Sequence, residues 1–128
     1  MKEKLNYEMT MTRLPYLSEN SRALQVAKDL NLPVLGWGTH NACDCDTSVA
    51  PEAIAEAVLN SACDGAIGCL HVRHNTCKAL DIILPELKSR DYCLVTPEEH
   101  FNIRGVPSPA GVPIHNVINF GAKPTENC

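Results

Sequence analysis

The chain has 128 residues, 45% of them hydrophobic and 20% charged, proportions that suit one globular domain and exclude a disordered tail or a fibre. Eleven Lys and Arg against 15 Asp and Glu leave a formal net charge of −4, which excludes a general nucleic-acid binder working through a basic face. No apolar run approaches the roughly eighteen residues of a membrane span, and Met1–Lys4 opens no signal-peptide core.

In chain order, the first strand is expected at Thr10–Arg13. Helical periodicity follows over roughly Glu19–Leu30, where Ala23, Ala27 and Leu30 share a face. Val34–Trp37 reads as the second strand. Pro51, suited to a first helical turn, opens a helix with Ile54, Val58, Leu59 and Ala62 as its apolar stripe, and Asp64-Gly65 stops it. Ala66–Leu70 is the third expected strand. After the caps Asn75-Thr76, Leu80, Ile83, Leu84 and Leu87 fall on one side of another helix, and Pro85 inside it predicts a kink or a restart. Cys93–Thr96 is the fourth strand, and Thr96–His100 reads as a helix start with acidic first-turn residues.

Strands alternating with helices at this spacing indicate a parallel α/β fold with right-handed crossovers. Phe101–Cys128 breaks the rhythm. It is rich in proline and glycine and is expected to wrap the 1–100 core as an irregular arm, with one strand-like piece near Ile114–Ile118. Residues 1–128 thus read as one domain.

Seven cysteines stand at 43, 45, 63, 69, 77, 93 and 128. The odd count and irregular spacing do not suit a disulfide scaffold, and reduced thiols are the expectation. Cys63, Cys69 and Cys93 lie among apolar neighbours and read as small core residues.

In parallel α/β folds, reacting groups collect beyond the carboxyl ends of strands. Here those ends carry Arg13-Leu14-Pro15-Tyr16, then Trp37 with the loop Cys43-Asp44-Cys45-Asp46, then Leu70-His71. A single histidine or tryptophan at a strand end is an ordinary structural residue. Three consecutive strand ends sending polar side chains to one rim are a candidate site.

The order Arg13-Leu14-Pro15-Tyr16, Trp37 with an acidic loop, Ala66-Ile67-Gly68-Cys69-Leu70-His71, Thr76-Cys77-Lys78-Ala79-Leu80 and Leu87–Thr96 resembles the polysaccharide deacetylases of the nodulation-factor and chitin deacetylase group. The resemblance runs from about Thr10 to Asn119. It implies a distorted (β/α) barrel and hydrolysis of N-acetyl, or sometimes O-acetyl, groups on carbohydrate, with a divalent metal such as zinc as cofactor. By the same resemblance His71 is the acid toward the leaving amine. Asp44 is the first choice, and Asp46 the second, for the carboxylate that bonds His71. Arg13 orients the base, the Tyr16 backbone N–H helps hold the oxyanion, Trp37 offers a sugar-stacking ring, and Leu70 lines the acetyl pocket.

The family's Thr-Phe-Asp-Asp-Gly run and its histidine pair one helical turn apart have no counterpart here; the sequence contains no Asp-Asp. The chain therefore looks like the carboxyl-terminal half of a deacetylase domain, a partial barrel that binds no metal alone and is inactive alone. Its expected partners are an N-acetylated carbohydrate and either the missing amino-terminal half or a second copy across the exposed sheet edge. Two alternatives stand beside it. One is a non-catalytic carbohydrate-binding or assembly remnant. The other is a zinc module built from Cys43-x-Cys45 and His71-x-x-His74-x-x-Cys77.

Overall fold

Apolar residues flanked by prolines and glycines lay three short strands side by side in the computed structural model, which describes residues 2–36, 38 and 44–115. The strands are β1 (Thr12–Arg13), β2 (Val34–Leu35) and β3 (Pro113–Ile114). They form a parallel sheet in the order β1-β2-β3, with Val34 opposite both Thr12 and Pro113. Val34 at the centre is fully buried. The chain is an α/β fold with parallel strands and packed helices, as expected.

A short helix α1 (Lys2–Leu5) precedes the sheet. A single 3₁₀ turn, Pro15–Leu17, leads from β1 to α2 (Ser21–Asp29), whose Asn20 cap accepts the Ala23 N–H at 3.0 Å. Helix α3 (Pro51–Asn60) starts on its proline, and α4 (His74–Ser89) follows. Ile54, Ala55 and Val58 of α3 pack against Ala79, Ile83 and Leu87 of α4, with Leu70 and Tyr92 at the margin. Spacing of three and four residues puts each set on one helix face. Helix α5 (Pro97–Arg104) opens with a reciprocal capping box between Thr96 and Glu99 and closes on Gly105 at φ 60°. Phe101, Val106 and Ile114 form a second cluster with Met11, Leu35 and Ile67.

Several expectations need correction. Ala66–Leu70 and Cys93–Thr96 belong to no strand ladder among the described residues. Helix α4 starts at His74, one residue before the expected Asn75-Thr76 caps, and runs through Pro85 without restarting. Pro85 is solvent-exposed and, having no N–H, leaves the Asp81 carbonyl without its helical bond. The expected arm is partly regular: α5 extends to Arg104, and β3 joins the sheet through the Gly36 N–H, which donates to the Ile114 carbonyl at 2.9 Å. Residues 116–128 lie outside the described part. Cys63 is buried, but Cys69 is half-buried and Cys93 exposed, so only the first acts as a core residue. Among the described residues, Cys45, Cys63, Cys69, Cys77 and Cys93 form no disulfide.

Between the two clusters a groove of about 1200 Å³ runs past Leu70, Leu84, Leu94, Val95 and Ile103. The last four of these are exposed. No described helix is long and apolar enough to cross a membrane.

Candidate active site

His71 and Asp44 form the centre of the site, brought together by the loop before α3 and the segment entering α4. The Asp44 carboxylate faces His71 Nδ1 at 2.9 Å through Oδ1, while Oδ2 accepts the His71 backbone N–H at 2.6 Å and the Thr76 hydroxyl at 3.1 Å. Asp44 is 4% exposed and the His71 side chain 52% exposed. Burial pushes the Asp44 carboxyl up, but the His71 backbone N–H, the His71 ring and the Thr76 hydroxyl outweigh it and hold the pKa below the usual aspartate value. A buried carboxylate is thus fully engaged behind a ring that remains open on its other side. His71 Nε2 has no hydrogen-bond partner among the described residues.

Asp46 is placed differently. Its Oδ1 accepts the Ser48 N–H at 2.8 Å and the Ser48 hydroxyl at 2.7 Å, and the side chain is exposed. These bonds from Ser48 lower its pKa and close a turn within its own loop. Of the two aspartates, Asp44 is the one beside His71.

Arg13, at the carboxyl end of β1, sends Nη2 to the Cys69 sulfur at 2.6 Å, two residues before His71. Tyr16 sits just beyond, fully exposed at φ 54°, and its backbone N–H has no partner among the described residues. Leu70 is half-buried against the α3–α4 cluster and borders the groove. Gly38 explains how the end of β2 meets this segment. Its φ is 87°, and a Cβ there would stand 2.4 Å from the Ile67 carbonyl, a clash that only glycine avoids. Trp37, His40 and Cys43 lie outside the described residues.

Thr76, expected as a helix cap, also bonds Asp44; its place in the first turn of α4, five residues beyond His71, is the signal for that role. Cys69, expected in the core, meets Arg13.

The divalent metal implied by the resemblance does not fit the donors present. Among the described residues no three His, Cys, Asp or Glu side chains converge to hold an ion. Of the alternative Cys/His cluster, Cys45, His71, His74 and Cys77 do not converge as an ion site among the described residues, and Cys43 lies outside them.

No family model matches the sequence. Among curated proteins, a bifunctional xylanase/deacetylase of Pseudobutyrivibrio xylanivorans is 32% identical over 109 residues, 83% of this chain and 17% of its own length. A peptidoglycan-N-acetylglucosamine deacetylase of Listeria monocytogenes is 35% identical over 100 residues, 76% of this chain and 20% of its own. Among solved structures, a family 4 acetyl xylan esterase from Clostridium thermocellum, in complex with a cobalt ion, superposes with a TM-score of 0.77 and 33% identity. It covers 91% of this chain and 57% of the other. The CE4 domain of a multidomain xylanase from the hindgut metagenome of Trinervitermes trinervoides gives 0.76 and 26%, covering 90% and 56%. The chain thus spans about one fifth of the curated relatives and just over half of the solved domains. In fold, parallel sheet and sequence these neighbours point to the polysaccharide deacetylases of carbohydrate esterase family 4, to part of whose domain the chain is similar.

Proposed function

We propose that this chain supplies the proton-donating side of a deacetylase site acting on N-acetylated, or O-acetylated, carbohydrate. The observation that carries the reading is the His71–Asp44 pair: a buried, triply bonded carboxylate fixes the ring through Nδ1 and leaves Nε2 open. In amide hydrolysis a water oxygen bonds to the acetyl carbon and the C–N bond breaks with its electron pair staying on nitrogen. That nitrogen takes the proton carried by His71 Nε2. Leu70 lines the pocket for the acetyl methyl, and the uncommitted Tyr16 N–H offers a donor to the developing oxyanion. Arg13, held at Cys69, orients a base that the described residues do not contain.

An acid without a base to activate water is half a catalyst. Loss of one acid or base alone costs about 10²–10⁴-fold. The purified chain is expected to release no acetate from N-acetylglucosamine oligomers, with or without added zinc. Supplying the remainder of a relative's domain, in trans or by fusion, is expected to restore release, and His71→Ala to abolish it. Turnover by the chain alone overturns this reading. The groove of about 1200 Å³ is the surface that the rest of the domain covers.

A second reading, glycan binding without catalysis, is favoured by the fully exposed Tyr16 ring. Binding that persists while every complementation fails to yield activity selects it.

A further inference from the structure

Beside the His71–Asp44 pair lies a separate cavity of about 180 Å³, lined by Asp44, Asp46, Thr47, Arg73, His74 and Asn75. Its walls come from two elements that are stitched together. The Asn75 side-chain amide donates to the Thr47 carbonyl at 3.2 Å and the Val49 carbonyl at 2.9 Å, and Thr76 donates to Asp44. These bonds hold the loop 44–49 and the first turn of α4 in one arrangement, which lowers the ordering cost of binding.

The polar groups left over define what fits. Both Asp44 oxygens are occupied, as is Asp46 Oδ1. Asp46 Oδ2, the Arg73 guanidinium and the His74 ring have no partner among the described residues, and Arg73 does not pair with Asp46. Among the described residues the cavity thus offers an unpaired acceptor on Asp46 and an unpaired donor of opposite charge on Arg73. A free anion meets Asp46, and a free cation meets Arg73. A neutral ring bearing several hydroxyls satisfies both, since each hydroxyl donates and accepts.

We propose that the Asp46–Arg73 cavity seats a sugar ring of the glycan chain adjacent to the unit presented to His71, with Arg73 and Asp46 as its specificity-determining contacts. The proposal rests on the glycan reading above but concerns residues that take no part in proton transfer. It also gives Asp46 a place in the molecule other than the one beside His71.

The test is an amide chemical-shift titration of the whole chain with the N-acetylglucosamine tetramer, the monosaccharide, xylotetraose and inorganic phosphate. A tetramer is expected to move the Thr47 and Asn75 amides together with His71. Arg73→Ala combined with Asp46→Asn is expected to weaken tetramer binding about tenfold, the loss of roughly 1.4 kcal/mol, and to leave monosaccharide binding at His71 unchanged. Tetramer shifts at His71 with none at Thr47 or Asn75, or an unchanged affinity in the double variant, overturn the proposal and leave the glycan reading standing. Phosphate alone moving Arg73 and Asn75 overturns it in favour of an anion site. No shift with any oligosaccharide overturns both.

Discussion

Asp44 is the residue on which the local structure turns, because it joins its own loop, the segment entering α4 and the first turn of α4 through one carboxylate. Asp44→Ala leaves the His71 N–H and the Thr76 hydroxyl without an acceptor in a buried place, and the expected loss is about 1–3 kcal/mol in urea denaturation. Asp46→Asn, exposed and bonded only within its own loop, is expected to stay within about 0.5 kcal/mol. The pH dependence has a definite sign. The folded pKa of Asp44 is lowered, so its contribution is fully present above the unfolded value near 3.9 and is lost as pH falls through the folded one. Measured against Asp44→Asn, the stability difference is expected to shrink as pH falls below about 4. A difference that persists unchanged through that range counts against the pairing. The sequence placed both aspartates in the right loop. It could not choose between them, because the choice depends on which one the loop turns inward to meet His71.

At the scale of elements, α3 and α4 hold each other through one apolar seam, and Ile83 is 2% exposed within it. Ile83→Ala is expected to cost about 2–5 kcal/mol. Ile103→Ala, on the exposed side of α5, is expected to cost less than about 0.5 kcal/mol. Thermal or urea unfolding of the two variants side by side checks both. These helices were legible in the sequence because a 3.6-residue period reports burial directly, as the stripes of Ile54 and Val58 and of Ile83 and Leu87 did. Thr96 was legible as a start because acidic residues follow it in the first turn, and the structure adds a capping box with Glu99. Arg73 was not, since it caps α4 without a side-chain bond. Ala66–Leu70 and Cys93–Thr96 have strand composition, but a strand also needs a partner, and pairing is decided by tertiary placement. β3 was legible only from Ile114 onward, because Pro113 reads as a breaker. At the sheet edge its missing N–H is tolerated.

Across the described residues, buried apolar side chains gather in two clusters, with the groove between them bordered by Leu84, Leu94, Val95 and Ile103. Surface of this kind is uncommon on a self-sufficient monomer. The chain is expected to bind a hydrophobic dye and to associate as its concentration rises in sedimentation, and Leu94→Asp with Ile103→Glu is expected to reduce both. A dilution-insensitive monomer that ignores the dye counts against an interface there. Fold class and parallel direction could be read from the alternation of segments, whereas the division of the core could not, since it arises from contacts between distant parts. β2 shows how distant. Its neighbour on one side, β1, is some twenty residues away along the chain, and its neighbour on the other, β3, enters only after α3, α4 and α5 have been passed. Closing so long a loop for two residues of ladder is slow and entropically costly. During synthesis the Gly36 N–H and the β2 edge must therefore wait for almost all of the described chain to emerge, and the sheet can be completed only as a late event in folding.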